Sequence, residues 1–242
     1  MAFAVDLTLR LVTVAYAEFR PIRLDQELQA EIAERKLAFG LRTIPTSQVH
    51  LGSERPIMAF LAPDQSRVLT IADQRMDYVF SGVPGALVGE SGPLPWEAHV
   101  GEAAALFAEI LEIVGIGAHR IAFVAEEISR DMPGRTPASA VRDRLVANPG
   151  NWELGNEWEW KVQTQRPAAL ERINVLLSAG GVSGEQNGAP FTGLRRLFDL
   201  NTPSESARPR FTASALPEAL TGLVAVARIV ESETTEFFQH GD

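Results

Sequence analysis

One stretch with helical periodicity limits the folds open to this chain more than any other feature. Apolar side chains recur every three or four residues between positions 96 and 114: Val100, Ala103, Ala104, Phe107, Ile110, Leu111 and Val114. Glu102, Glu109 and Glu112 fall between them. The pattern predicts an amphipathic helix with a wide apolar stripe. This stripe has to pack on an apolar surface, and strand-like sequences lie on both sides of it.

The sequence before this helix predicts several strands and one short helix. Apolar and polar residues alternate over positions 3–11, which indicates a half-buried strand that can continue to Phe19. Leu24, Leu28 and Ile32 recur every four residues and predict a short helix that ends near Gly40. Residues 81–95 are rich in glycine and proline and are predicted to form a loop. Further strands are predicted at 56–62, 68–71 and 76–80.

The sequence after the long helix begins with a strand and ends with a second long helix. Apolar residues occupy both faces of 120–125, which favours a central strand. Thr136 and Pro137 are a typical helix start, and that helix is predicted to reach position 147. A strand or hairpin is predicted at 152–162, and strands at 169–179 and 194–201, with a glycine-rich loop at 180–190. The last helix is predicted over 214–238, with an apolar stripe of Leu216, Leu220, Leu223, Ala227, Val230 and Phe237.

The two halves of the chain share one order of elements. Residues 1–117 and residues 118–242 each read as strand, proline break, short helix, several strands and long helix. We interpret this order as an internal pseudo-duplication within a single domain of residues 1–242. The predicted fold class is α+β, with a wide, mainly antiparallel sheet that two long helices cover on one face. The opposite face of such a sheet is free for a partner.

Composition excludes several classes of function. Hydrophobic residues make up 45% of the chain, enough for a substantial core. The net charge is -9, so we expect neither non-specific nucleic-acid binding nor docking on an anionic membrane. The chain has no cysteine, which excludes disulfides and thiolate chemistry. We find no leader or transmembrane pattern at the start, and we expect a cytoplasmic protein.

Four short segments together resemble a known family. They are residues 63–71, the helix start Trp96-Glu97, Arg120-Ile121-Ala122-Phe123, and residues 197–201 before the terminal helix. Across most of the chain they resemble a sporadically distributed family of bacterial proteins of unknown function. The resemblance implies a compact α+β bacterial protein, and association with the family suggests a defence or toxin-control system. It implies no catalytic residues. Positions 124–127 depart from the family, which there tends to carry a second arginine and an aromatic–asparagine pair.

The known catalytic and phosphate-binding motifs are missing from the sequence. Gly115-Ile116-Gly117 lacks the third glycine of a dinucleotide fingerprint, and Ser183 does not stand in a complete nucleophile elbow. None of the four histidines has a partner at metal-ligand spacing. Glu126 and Glu127 are adjacent on a strand, so they point to opposite faces and cannot share a site. We expect no catalytic residue, no cofactor and no metal.

Two groups of residues are candidates for binding a partner. Trp158 and Trp160 share one face of a strand, and either pack in the core or form an exposed aromatic patch. Glu231, Glu233 and Glu236 crowd the end of the last helix, either as a solvated face or as a docking surface for a basic partner.

The sequence therefore predicts a non-enzymatic protein that binds a protein partner or forms a homo-oligomer. A small-ligand sensor, with a cavity between sheet and helices and the loops 81–95 and 180–190 as lids, is the first alternative. An enzyme without a recognisable motif is the second.

Overall fold

The computed structural model describes residues 4–19, 26–48, 56–82, 94–134, 136–145, 158–167, 172–186, 188–204 and 208–240. These residues form one nine-stranded antiparallel sheet in the order β2-β3-β4-β5-β1-β6-β9-β8-β7, and four helices. The prediction of a wide antiparallel sheet in an α+β protein is confirmed. The strands are β1 Leu7–Tyr16, β2 Arg42–Ile44, β3 Met58–Leu61, β4 Arg67–Ile71, β5 Arg75–Ser81, β6 Arg120–Arg130, β7 Glu159–Pro167, β8 Arg172–Gln186 and β9 Ala189–Asn201. The helices are α1 Gln26–Ala38, α2 Trp96–Val114, α3 Pro137–Leu145 and α4 Leu216–His240.

The centre of the sheet is the antiparallel pair β1 and β6. β1 also pairs with β5, and β6 also pairs with β9, so both central strands are bonded on both sides. Most residues of β1 are buried on both faces, so the prediction of a half-buried first strand is wrong. Its polar Thr8 and Thr13 belong to the buried set, and for that reason the alternation in sequence did not mark a solvent face. The prediction of a central strand at 120–125 is confirmed.

The helices lie on one face of the sheet. Alternate side chains of the strands form a single core cluster with apolar residues of α2 and α4; this cluster includes Leu11, Tyr78, Phe107, Phe123, Phe198 and Leu220. α1 packs on α2, and α3 packs on α4 and on β6, β8 and β9. The intervening positions Val12, Val14, Val79 and Ala122 form a separate cluster on the other face.

Helix α2 has the bounds that its periodicity predicts. Its apolar stripe is buried from Val100 to Leu111 and half-buried at Val114. The helix ends at Gly115, which adopts a left-handed conformation with φ 71°. The Gly115 amide donates hydrogen bonds to the carbonyl oxygens of Leu111 and Glu112. This is the usual way in which a glycine terminates a helix.

The glycine-rich run at 180–190 is not the loop that its composition predicts. β8 and β9 pair continuously from Gly180 opposite Arg195 to Gln186 opposite Ala189, with a tight turn at Gly188, where φ is 78°. Gly180 permits close strand contact, because a Cβ there would lie 2.7 Å from the Trp158 carbonyl oxygen. In the loop predicted at 81–95, residues 83–93 lie outside the described residues, so its proposed role as a lid stays a prediction.

None of the helices in the described ranges is both long enough and apolar enough to cross a membrane.

Candidate functional site

A buried ion pair lies between the sheet and the helices. Glu127 of β6 and Arg196 of β9 are opposite each other in the sheet, and their side chains are each 3% exposed. The Arg196 guanidinium donates to Glu127 Oε2 at 3.3 Å, and Trp96 Nε1 at the start of α2 donates to Glu127 Oε1 at 2.7 Å. Burial raises the pKa of the Glu127 carboxyl, although Arg196 and Trp96 favour its charged form. The pair therefore connects the middle of the sheet to the first turn of α2.

Further charged side chains extend this pair to the surface. Glu231 of α4 lies 3.6 Å from the Arg196 guanidinium and accepts a hydrogen bond of 2.7 Å from Arg228. Arg228 also donates to both Glu97 carboxylate oxygens, at 2.8 and 3.0 Å, and these bonds lower the pKa of Glu97. The guanidinium lies 4.0 Å from the Trp96 ring centroid, within cation–π range. The network ties α2, α4, β6 and β9 together, which is a structural role.

The two adjacent glutamates face opposite sides of the sheet, as predicted. Glu126 forms an ion pair of 2.7 Å with Arg195 on the face without helices, where the Arg195 side chain is half exposed. Glu127 is buried with Arg196 beneath the helices. The two carboxylates cannot act in one site.

A groove opens to the surface where the last helix runs beside the outermost strand. Its floor and walls come from β7, β8 and α4, and we call it the β7–α4 groove: Trp160, Val162, Thr164, Arg166, Leu177, Val230, Glu233, Thr234 and Phe237. Its volume is about 220 Å³. Arg166 forms an ion pair with Glu233 at one end. Trp160 and Phe237 form the other end, and the lining between the two ends is mainly apolar.

The aromatic end of the β7–α4 groove consists of three rings in mutual contact. Trp160 stacks on Phe237 with ring centroids 6.2 Å apart, and meets Phe238 edge-on at 5.4 Å. Phe238 is buried against α3 and β8, whereas Phe237 is 48% exposed. The prediction that Phe237 belongs to the core stripe of the last helix is therefore wrong. In its last turns the helix packs beside α3 and β8, so the side of the helix that carries Phe238 is the buried one.

Strand β7 is the outermost strand of the sheet that the described residues form. Its even-numbered side chains, from Trp160 to Arg166, lie on the helix face and line the groove. Its odd-numbered side chains, from Glu159 to Gln165, lie on the other face and are exposed. Groove and strand edge are thus contiguous.

The sheet face without helices is less suited to binding a partner. The central valines of this face, Val12, Val14 and Val79, are only 5–6% exposed. Its polar side chains form hydrogen bonds with one another. Asn201 Oδ1 accepts hydrogen bonds from Arg120 at 3.0 Å and from Asn174 at 3.2 Å. Gln165 donates to Asn174 at 3.0 Å. We therefore regard the β7–α4 groove as the candidate site.

The structure brings some of the predicted partner-binding residues together and separates others. Trp160 and Glu233 both line the groove. Trp158 is half-buried beside Trp160, on the same strand face, in a cluster with α3. Glu231 is engaged in the internal network, and Glu236 is exposed on α4. Sequence reasoning missed Arg166 and Val162, for which only the alternation of β7 gave a signal.

The described residues contain no group of three or more histidine, aspartate or glutamate side chains that could hold a metal. His99 is buried in α2 and stacked on Tyr78 at 5.2 Å between ring centroids. Burial lowers its pKa to about 3. A neutral histidine in such a place packs as an aromatic side chain.

Comparison with known proteins adds no relative. Neither a scan against protein-family models nor a search of curated proteins found a match to this chain. The candidate site therefore rests on its own geometry.

Proposed function

We propose that this protein is a non-enzymatic interaction module that binds a protein partner at the β7–α4 groove. The observation that supports this best is the exposed Phe237, which stacks on Trp160 beside an outermost strand. Large aromatic side chains that remain exposed next to an apolar groove are enriched in protein interfaces. A regulatory role in a bacterial cytoplasm, in defence or toxin control, belongs to the same proposal.

The size of the groove favours a polypeptide over a small molecule. Small-molecule sites have volumes of roughly 300–1,000 Å³. The β7–α4 groove, at about 220 Å³, accommodates one or two apolar side chains. Side chains of this kind, anchored in a pocket, commonly dominate the binding energy of an interface.

Charge around the groove favours a partner with basic residues. Glu236 is exposed beside Phe237 at the aromatic end, and the whole chain carries a net charge of -9. Glu159 lies on the other face of the sheet and forms an ion pair of 3.0 Å with Lys161. Complementary charge raises the rate of association and selects among partners. A basic protein partner therefore suits this surface better than an acidic one.

The proposal is tested by substituting an exposed phenylalanine inside and outside the groove. Phe237→Ser and Phe39→Ser alter side chains of similar exposure, 48% and 37%, and Phe39 does not line the groove. Wild type and both variants are purified from the native host by affinity, and the co-purifying proteins are quantified by mass spectrometry. We expect Phe237→Ser to reduce a stoichiometric partner at least tenfold and Phe39→Ser to leave it unchanged. Equal recovery with Phe237→Ser would place the interaction elsewhere.

We further propose that the two halves of the chain are a pseudo-duplication within one folded unit. The strand order supports this, because it reads β2-β3-β4-β5-β1 in the first half and β6-β9-β8-β7 in the second. In each half the first strand lies at the centre of the sheet, next to the last strand of that half. The two first strands, β1 and β6, pair with each other.

A small-ligand sensor is our second proposal. A recess of about 630 Å³, within the size range of ligand sites, lies between α2 and the segment before α4, with Ala105, Ala108, Glu112 and Ala213 among its lining residues. A thermal-shift screen of nucleotides and metabolites tests it. A rise in Tm that Ala108→Trp abolishes would support a ligand at this recess.

A further inference from the structure

Backbone groups along β7 alternate between the sheet and the outside. Gly181 donates its amide hydrogen to the Trp158 carbonyl oxygen at 3.2 Å, and Glu159 is opposite Gly180 in the same register. In an antiparallel pair, directly opposed residues are bonded at every second position only. The even residues of β7 therefore bond to β8. The odd residues Glu159, Lys161, Gln163 and Gln165 direct their N–H and C=O groups away from it.

The side chains of β7 alternate in the same way, between the helix face and the exposed face of the sheet. Those of the even residues lie on the helix face and line the β7–α4 groove. A strand that added to the outer edge of β7 would pair its own residues with both sets. Its residues opposite Trp160, Val162 and Thr164 would lie on the groove side, where the groove accommodates one or two of their side chains. Those opposite the odd residues would point to the exposed face.

Given the proposed function, we propose that an extended segment of the partner adds to β7 as a further antiparallel strand. Its alternate apolar side chains enter the β7–α4 groove and contact Trp160 and Phe237. Polar residues alternate with them and donate their amide hydrogens to β7. Addition of a strand to a sheet edge, with pockets for every second side chain, is a recurrent mode of peptide recognition.

The charges at the edge define the partner segment further and count against a second copy. Antiparallel addition brings the C-terminal end of the segment to the start of β7, where Glu236 is exposed on the helix side and Glu159 pairs with Lys161 on the other face. Basic residues at that end are complementary to Glu236 and to the net charge of -9. A second copy would bring the same acidic chain, with its net charge of -9, to this edge and suits it less than a basic segment. A partner segment with apolar residues at alternate positions and a basic C-terminal end satisfies all these features.

The test uses a synthetic peptide in which valine and threonine alternate, followed by two lysines and labelled with fluorescein at its N-terminus. Binding to the full chain is measured by fluorescence anisotropy. Two N-methylated versions provide a matched pair. In the proposed complex the threonine amides bond to β7 and the valine amides point away. We expect methylation of the threonine nitrogens to weaken binding at least tenfold and methylation of the valine nitrogens to change it less than threefold.

Variants of β7 distinguish the contribution of its backbone to peptide binding from that of its side chains. Gln163→Pro removes an outward N–H without removing a bond to β8, and Gln163→Ala changes only a side chain on the exposed face. We expect Gln163→Pro to weaken peptide binding at least tenfold and Gln163→Ala to leave it unchanged. Circular dichroism of both variants checks that the fold is retained.

The outcomes distinguish this inference from the proposed function. Loss of binding with Phe237→Ser but equal effects of both N-methylated peptides would overturn strand addition and leave the groove as a binding site. Absence of peptide binding would overturn strand addition as well.

Residue-level amide exchange by NMR adds an independent check. We expect fast exchange at Lys161, Gln163 and Gln165 in the free protein and slow exchange with the peptide bound. Slow exchange in the free protein would show that the edge is already paired, which overturns the inference.

Discussion

Two neighbouring arginines of β9 have very different surroundings. Arg195 pairs with Glu126 on the exposed face, and Arg196 pairs with Glu127 beneath the helices. Exposed ion pairs contribute roughly 0–1 kcal/mol to stability, whereas removing one partner of a buried pair costs about 3–5 kcal/mol. The difference arises because the remaining buried charge is left without compensation.

We therefore expect Arg196→Met to lower the free energy of unfolding by about 3–5 kcal/mol. Its matched control Arg195→Met should change it by less than about 1 kcal/mol. The double variant Glu127→Gln/Arg196→Met should recover most of the loss, since the glutamine is uncharged and still accepts the bond from Trp96. Urea denaturation of the four proteins measures these values. Equal losses for Arg195→Met and Arg196→Met would contradict the assignment.

His99 predicts a pH dependence of stability. Its pKa is about 3 in the folded protein against an ordinary value of 6.5, so the unfolded chain binds the proton more readily. The contribution of neutral His99 is therefore complete above pH 6.5 and is lost as the pH falls from 6.5 towards 3. By pH 5 the loss reaches about 2 kcal/mol. Glu127, whose pKa burial raises, changes the stability in the opposite sense, so the contribution of His99 is taken from the comparison of wild type with His99→Phe.

We expect His99→Phe, which keeps the stacking on Tyr78, to remove this loss between pH 7 and pH 5. The change is read from urea denaturation at both values. The half-exposed His119, whose pKa burial also lowers, provides the control His119→Phe with a smaller effect. An equal change in stability between pH 7 and pH 5 for wild type and His99→Phe would exclude a buried neutral His99.

Part of the candidate site was predictable at the scale of single residues. Trp160 and Glu233 stood out in the sequence by type and spacing, and both line the groove. The ion pair of Glu127 and Arg196 joins positions 69 residues apart, and only the strand order brings them together. Phe237 and Phe238 are adjacent and chemically identical, so their different exposure is set by the tertiary contacts of the helix end with α3 and β8.

At the scale of elements, two glycines associated with α2 have opposite effects. Gly115 ends the helix with φ 71°, a conformation that side chains with a Cβ adopt at a cost. Gly101 lies inside the helix, is exposed, and a Cβ there would meet nothing within 4 Å. Glycine in a helix interior is about 1 kcal/mol less favourable than alanine.

We expect Gly101→Ala to raise the free energy of unfolding by about 0.5–1 kcal/mol and Gly115→Ala to lower it by about 1 kcal/mol. Thermal and urea denaturation measure both. A gain in stability from Gly115→Ala would contradict the left-handed helix end.

Elements with strong periodicity were predictable, and elements defined by distant pairing were not. The stripe of α2 determines its face and both ends locally. The glycines of the β8–β9 hairpin indicate a loop when read locally. Gly180 is in a strand instead, paired on both sides. Glycine is needed there because the neighbouring backbone at Trp158 approaches too closely for a side chain.

At the scale of the whole molecule, one core joins the two halves of the chain. Leu11 and Phe107 from the first half share a cluster with Phe123, Phe198 and Leu220 from the second. The β1–β6 pair joins the same halves through backbone hydrogen bonds. The order of the elements suggested two similar halves, but no local pattern indicates that their first strands meet at the centre.

We expect the chain to unfold in a single cooperative transition. Far-ultraviolet circular dichroism and tryptophan fluorescence should give the same midpoint in urea, because neither half buries its core alone. Two separated transitions, one for each half, would contradict a shared core.

The central position of β1 also has a consequence for biosynthesis. β1 is synthesised before both of its neighbours, and the strand that covers its second edge begins at Arg120, about a hundred residues later. At roughly 5–20 residues per second, a ribosome needs on the order of 5–20 s to produce that interval. During this time the nascent chain exposes an apolar strand with at least one unbonded edge, and exposed edges of this kind are prone to aggregation.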